Sequence, residues 1–143
     1  MGIVMGAAGQ VWHIAVKREK EQELLFVGNQ FRRAITAYYK HATGQGGNRL
    51  KRLEDLLLDP RYPSTQRYLR KIYADPITAS TEWGLVRGAA GEILGVYSLS
   101  DEEPLKKRNF NLADEGFDGK TRYSDWRFMQ TNRQYSATLS QMP

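Results

Sequence analysis

The sequence contains no cysteine, which excludes disulfide bonds, thiolate zinc sites and a cysteine nucleophile. Histidine is nearly absent as well, since His13 and His41 are the only two. They stand near opposite ends of one predicted helix, about 42 Å apart along its axis. Two side chains so far apart cannot share one metal ion or one active site within that helix.

The serines offer no nucleophile motif either. Neither Ser98 nor Ser100 lies in a glycine-flanked elbow, and neither histidine stands where a catalytic triad could be argued. The glycine-rich segment Thr43–Asn48 lacks the lysine and Ser/Thr that end a phosphate-binding loop, so we predict a turn there. We therefore expect the protein not to be an enzyme and to have no small-molecule substrate.

Long apolar runs are also missing. No stretch reaches the roughly 18 apolar residues of a membrane span. Residues 1–9 are apolar and small but too short to span, and no basic segment precedes them as in a signal peptide. We interpret residues 1–9 as either an added leader sequence or the remnant of a membrane helix.

The rest of the composition is that of an ordinary globular protein. The 143 residues are 41% hydrophobic and 26% charged, which suits one domain with a modest core. The net charge of +5 points only weakly to a nucleic acid or an anionic lipid as partner.

A predicted helix over residues 10–42 is the element around which the chain is organised. It contains no proline, and Gly28 is its only glycine. From Lys17 to Glu23 every residue is charged or carries an amide, so this part has no apolar face. The second half then places small and apolar residues at spacings of three and four, as in an amphipathic helix. These residues are Leu24, Val27, Gly28, Phe31, Ile35, Tyr38 and Ala42. A helix of this kind is typical of a shaft that leaves one environment and docks in another.

Helical spacing also predicts short helices over residues 49–58 and 65–74, each followed by an Asp-Pro or a turn. Residues 82–128 are predicted to form a sheet, with a hairpin around the turn Gly88–Gly91 and a third strand over 123–128. Helices followed by strands, without alternation, predict an α+β domain with a small antiparallel sheet. We expect residues 10–128 to form this domain and residues 129–143 to be a flexible tail.

The long polar segment Ser100–Arg122 contains the carboxylates most suggestive of a site. Two glycines, Gly116 and Gly119, lie beside the later carboxylates of this loop, and hard oxygen ligands on such a loop are what calcium prefers. The carboxylates are Asp101, Glu102, Glu103, Asp114, Glu115 and Asp118. Residues 106–108 are Lys-Lys-Arg, however, and these cations can neutralise the carboxylates without a metal. The residues alone leave a calcium site and a solvated loop as two open interpretations.

Basic residues also cluster between tyrosines, at Arg32-Arg33 and at Arg67, Arg70 and Lys71. Such a mixture is typical of single-stranded nucleic-acid binding. Acidic residues are interspersed, however, and the tyrosines fall on faces that need burial. We therefore interpret these clusters as solvated faces over core tyrosines and do not predict nucleic acid as the main partner.

Several short motifs, taken in order, resemble the pseudopilins of bacterial type II secretion, especially the major, G-type one. The resemblance covers residues 10–128, and its weight lies in the order of the motifs. They are Glu23–Ile35 on the helix, Leu53–Leu56, Asp75–Thr78 with Glu82-Trp83, Val96–Leu99 and Asp125-Trp126.

The resemblance implies a pilin-like fold, in which a long N-terminal helix packs on a small antiparallel sheet. It implies a single-pass protein of the bacterial inner membrane, with its domain in the periplasm. Such proteins are cleaved by a prepilin peptidase, methylated and polymerised into a pseudopilus, so the partners are further copies of the chain and other pseudopilins. The processing residues of the family are absent here, and we expect the first part of the membrane helix to be missing, with the cut near residues 6–10.

The resemblance also implies two sets of site residues. A calcium ion would be held by the carbonyl of Leu99 and by Asp101 and Asp118, although this loop is longer than usual and contains Pro104. On the helix, one set of side chains would divide between the sheet and neighbouring helices, with the charged band just outside the membrane. This assembly set is Lys17, Lys20, Leu24, Val27, Phe31 and Ile35.

Two alternative functions stay open. One is a type IV pilus or DNA-uptake pilin subunit that binds DNA or surfaces through its basic residues. The other is a helical adaptor unrelated to pili.

Overall fold

The computed structural model confirms the predicted α+β class, with one long helix on a three-stranded antiparallel sheet. It describes residues 2–41 and 49–131, and it describes side chains from residue 11 onward. The elements are α1 (Gly2–Lys40), β1 (Gly84–Arg87), β2 (Ile93–Tyr97) and β3 (Arg127–Met129), with 3-10 turns at Leu53–Leu56, Leu112–Phe117 and Tyr123–Asp125.

The helix α1 begins earlier than the sequence predicted. It starts at Gly2 rather than at residue 10 and runs for 39 residues to Lys40. Residues 2–9 contain no proline, and residue 10 is not preceded by a capping side chain, so nothing in the sequence stops the helix there. Ala42 and the predicted glycine-rich turn at 43–48 lie outside the described residues.

The sheet has the order β1-β2-β3 and is antiparallel throughout. The predicted hairpin is confirmed, with Val96 opposite Leu85 on one side and Phe128 on the other. Gly91 closes its turn with a positive φ of 81°, a conformation that glycine adopts without strain. The third strand is shifted relative to the prediction, because Tyr123–Asp125 forms a 3-10 turn and the strand starts at Arg127.

The core lies between α1 and the inner face of the sheet. The amphipathic stripe predicted from the sequence supplies its helical side, including Phe31 and Ile35, both fully buried. Phe128 and Val96 supply the sheet side and are also fully buried. Gly28 allows the closest approach, because a Cβ at this position would overlap the ring of Phe128.

The two predicted short helices are largely wrong. Within 49–58 only the 3-10 turn at Leu53–Leu56 forms, and no helix forms within 65–74. The backbone N–H groups of Tyr68 and Leu69 both donate to the carbonyl of Leu56, at 2.9 and 3.0 Å. Because these donors bond to the first segment, they are not available for hydrogen bonds along a helix of their own.

The predicted tail is ordered at its start. Met129 ends β3, and the N–H of Gln130 donates to the carbonyl of Leu94 at 2.8 Å. The remaining tail, from residue 132, lies outside the described residues.

Candidate assembly surface on the long helix

The four apolar residues of the predicted assembly set are buried in the chain's own core. Leu24, Phe31 and Ile35 have no exposed surface, and Val27 is 2% exposed. They cannot contact a neighbouring helix without opening the core. The prediction divided this set between packing on the sheet and packing on neighbouring helices. For these four residues the structure supports packing on the sheet.

The two lysines of that set differ from each other. Lys17 is half-buried: its Nζ donates to the carbonyl of Glu103 at 2.7 Å and lies 5.8 Å from the ring centre of Tyr123. It ties the long loop to α1. Lys20 is exposed and remains available to a partner.

Glu21 was missed by the sequence analysis, which placed it in an all-polar band. It is only 3% exposed, and its Oε1 accepts hydrogen bonds from the N–H groups of Leu105 and Lys106 and from the hydroxyl of Tyr123. Burial, and then this hydrogen bond to Glu21, raise the pKa of Tyr123. Glu21 stands three residues before Leu24, so extending the apolar stripe by one turn would have identified it as inward-facing.

Arg32 is a second buried polar residue that the sequence placed in a solvated cluster. It is 4% exposed, its Nη1 lies 2.8 Å from Oδ1 of Asp114, and its Nε donates to the carbonyl of Met129. The neighbouring Arg33 is exposed. The Arg32-Arg33 pair therefore divides between the interior and the surface.

A row of exposed side chains runs along the opposite side of α1 at spacings of seven, four and three. We call this row the outer face; it consists of Trp12, Glu19, Glu23, Phe26, Arg33 and Lys40. Trp12 is 63% and Phe26 58% exposed, so the outer face carries two large apolar side chains.

The acidic and the basic residues of the outer face lie at different positions along the helix axis. Glu19 and Glu23 occupy its N-terminal half, and Arg33 and Lys40 occupy its C-terminal half. Glu19 and Arg33 are about 21 Å apart along the axis, at about 1.5 Å per residue. The outer face therefore has an acidic N-terminal half and a basic C-terminal half.

The helix projects beyond the rest of the domain at its N-terminal end. Residues 11–15 are exposed on every side, and they include Val11 at 68% and Ile14 at 46%. A helical turn that exposes three large apolar side chains, Val11, Trp12 and Ile14, is suited to a further partner.

The predicted calcium ligands lie in the long loop and its approach. Asp101 is exposed, and its Oδ1 accepts a hydrogen bond from Ser124 at 3.2 Å; Asp118 is also exposed. In the described parts of the chain, no three histidine, aspartate or glutamate side chains are grouped so as to hold a metal ion. A calcium site built on Leu99 would therefore depend on carbonyl groups, and it stays a prediction.

The loop is held by its own contacts. Lys107 Nζ donates to Oε1 of Glu103 and to the carbonyl of Lys120, both at 3.0 Å. Together with the hydrogen bonds to Glu21, these contacts fix the loop against α1.

The tyrosines interleaved with the basic clusters belong to the interior, as predicted. Tyr38 is 2% exposed and packs edge-to-face on Tyr68, whose hydroxyl donates to Oδ2 of the buried Asp59 at 2.7 Å. Arg61 pairs with the same carboxylate and lies 3.7 Å from the ring centre of Tyr38. Of the histidines, His13 is exposed beside Trp12, and His41 Nδ1 lies 2.9 Å from the carbonyl of Ala37.

No protein-family model, no curated protein and no solved structure matches the chain significantly. Among the described residues, no helix combines the length and the apolar character that crossing a membrane requires.

Proposed function

We propose that this chain is a structural filament subunit that assembles through α1, of the kind that builds the periplasmic pseudopilus of type II secretion. The observation that carries the proposal is the helix itself. Its 39 residues correspond to about 58 Å, and among residues 11–40, whose side chains the structure describes, the first buried one is Glu21. A helix that extends far past its own core is suited to packing outside that core.

The projecting end supplies the first contact. Its apolar residues Val11, Trp12 and Ile14 are all exposed. In the proposed assembly this end continues toward the inner membrane, and the domain lies in the periplasm. Neighbouring helices then cover the apolar turn, and each fully buried large apolar side chain contributes about 1.5–3 kcal/mol.

The outer face determines the register, which is the offset between neighbouring helices along their axes. Two parallel helices that present this face to each other at the same height would place Glu19 against Glu19 and Arg33 against Arg33. A shift of about 21 Å instead places Glu19 of one copy beside Arg33 of the next, and Trp12 beside Phe26. Because this shift joins the N-terminal half of one outer face to the C-terminal half of the next, the contact is heterologous, and heterologous contacts that do not close into a ring build filaments.

The charges select this register rather than drive the association. Exposed ion pairs contribute about 0.2–1 kcal/mol each, whereas like charges brought together are unfavourable. The apolar side chains Trp12 and Phe26 supply most of the affinity, and Glu19 and Arg33 exclude the unshifted alternative.

A charge-swap experiment tests this proposal. The double variant Glu19→Lys with Glu23→Lys makes every charge on the outer face positive. We expect it to lose self-association in sedimentation experiments from micromolar to millimolar protein. Adding Arg33→Glu and Lys40→Glu reverses the pattern, and we expect self-association to return. The matched control replaces the exposed Glu82 and Glu115 by lysine and leaves association unchanged. Loss without recovery in the fourfold variant would contradict the proposed register.

A DNA-binding pilin-like role draws less support from the described residues. Arg67, the centre of one basic cluster, donates to the carbonyls of Leu69 and Arg70. Its guanidinium is therefore partly engaged within its own segment.

A further inference from the structure

A cleft of about 430 Å³ lies between α1 and the long loop. The helix contributes Arg18, Glu21 and Gln22, and the loop contributes Lys106, Arg108 and Asn109. Its volume lies within the range of about 300–1,000 Å³ that is usual for small-ligand sites. None of the features described so far explains its lining.

Three cations converge on this cleft from segments far apart in sequence. Among the described residues, no carboxylate lies within ion-pairing distance of Arg18, Lys106 or Arg108. The one acid in the lining, Glu21, is buried, and its Oε1 already accepts three hydrogen bonds. With Glu21 included, the lining carries a formal charge of +2, three cations less one carboxylate, and such an excess of positive charge attracts an anion.

We propose that the cleft binds a phosphate group, and that the phosphodiester of an anionic phospholipid is its source. Two arginines and a lysine are the donor set that recognises phosphate, because guanidinium groups bind its oxygens in pairs. The amide of Gln22 adds a neutral polar group to the lining.

The position of the cleft along α1 favours a lipid source. Arg18 follows Ile14 by about 6 Å along the axis, so the cleft lies directly below the exposed apolar turn that contains Trp12. When that turn meets a bilayer surface, Arg18 and Arg108 lie at the depth of the headgroups. The choice of lipid rests on the proposed membrane-facing orientation, whereas the binding of phosphate does not.

The first experiment titrates the intact chain with inorganic phosphate at low salt and follows amide shifts by NMR. We expect saturable shifts at Lys106, Arg108 and Asn109. Replacing Arg18→Gln or Arg108→Gln should weaken binding about tenfold each, since each removes a charge-assisted pair of hydrogen bonds. The double variant Arg49→Gln with Arg70→Gln removes two charges from exposed positions outside the cleft, as many as Arg18→Gln with Arg108→Gln, and it should leave binding unchanged.

The second experiment distinguishes the two sources by co-sedimentation with vesicles. We expect binding to vesicles of phosphatidylcholine with phosphatidylglycerol, weak binding to phosphatidylcholine alone, and loss of binding in Arg18→Gln with Arg108→Gln. Phosphate binding without vesicle binding would support a phosphate site in the cleft and contradict an anionic phospholipid as its source. An absence of saturable phosphate binding, or an equal loss of phosphate binding in the Arg49/Arg70 control, would contradict the phosphate site itself. Neither result depends on filament assembly, which the charge-swap experiment tests separately.

Discussion

The hydroxyl of Tyr123 donates a hydrogen bond of 2.8 Å to Oε1 of Glu21, joining residues 102 positions apart in the chain. The same oxygen accepts the N–H groups of Leu105 and Lys106. One buried carboxylate on α1 therefore holds both the long loop and the turn before β3. This contact fixes the cleft, and Lys17 extends the contacts between the loop and α1 by one further turn toward the N-terminus.

Removing this carboxylate should destabilise the domain. We expect Glu21→Ala to lower the free energy of unfolding by about 1–3 kcal/mol, because buried N–H and O–H donors lose their acceptor. The control Glu19→Ala makes the same chemical change at an exposed position of the same helix and should cost less than about 0.5 kcal/mol. Urea unfolding measures both values. Equal effects of the two substitutions would show that Glu21 does not hold the loop.

Gly28 should be intolerant of alanine although it lies within a helix. Alanine is favoured over glycine by about 1 kcal/mol in helix propensity, but here its Cβ would overlap the ring of Phe128. We expect a net destabilisation of about 1–3 kcal/mol. Shortening the partner in the double variant Gly28→Ala with Phe128→Leu should recover part of this loss relative to Phe128→Leu alone. A Gly28→Ala variant more stable than the parent protein in urea unfolding would contradict the close helix–sheet contact.

Acid should destabilise the domain partly through Asp59. Burial alone raises the pKa of Asp59, but hydrogen bonds from Arg61 and Tyr68 outweigh it and lower the pKa below its usual value. A carboxylate with a lowered folded-state pKa contributes stability above its unfolded pKa of about 3.9, and that stability is lost as the pH falls through the folded pKa. We expect Asp59→Asn to cost about 3–5 kcal/mol at neutral pH and to flatten the acid side of the stability profile. An unchanged acid slope in urea unfolding between pH 5 and pH 2 would contradict this role.

High pH should also destabilise the domain, because two tyrosines have folded-state pKa values that are raised rather than lowered. Burial raises the pKa of Tyr39 to about 12, and burial with the hydrogen bond to Asp59 raises that of Tyr68 to about 12. Unfolded tyrosines ionise near pH 10, so the stability from these phenols is complete below about pH 10 and is lost toward about pH 12. Urea unfolding at increasing pH should show this decline, and Tyr39→Phe with Tyr68→Phe should reduce it. A decline of the same slope in the double variant would contradict the assignment.

The helix and its inward stripe were predictable because small and apolar side chains recur at the helical period from Leu24 to Tyr38. The segment 65–74 shows the same spacing at Tyr68, Leu69 and Ile72, yet it is not helical, because its N–H groups bond to residue 56. Such a non-local hydrogen bond leaves no trace in periodicity. Arg32 was missed for a related reason, because its partner Asp114 is distant in sequence. The position of Glu21 follows from extending the stripe by one turn, but its partner Tyr123 is equally distant and was not predicted.

The outer face could not be recognised before the sheet was placed. Trp12 and Phe26 are apolar and lie off the predicted stripe, and the sequence alone does not say whether another segment of the chain covers them. The structure assigns that side to Leu24, Phe31 and Ile35, which leaves Phe26 exposed.

Disulfide crosslinking tests the proposed filament register most directly, because the chain has no cysteine of its own. Equal amounts of a Glu19→Cys and an Arg33→Cys chain are mixed at millimolar concentration and oxidised mildly. The shifted parallel register predicts mixed dimers between residues 19 and 33, and few dimers of either variant with itself. An antiparallel pair centred on Phe26 would also join residues 19 and 33, but it would join Phe26→Cys to itself, which the shifted parallel register does not; an unshifted parallel pair would join Glu19→Cys to itself. Self-crosslinking of either Phe26→Cys or Glu19→Cys would contradict the shifted register, and crosslinking no greater than that of a Glu82→Cys control would contradict assembly through the outer face.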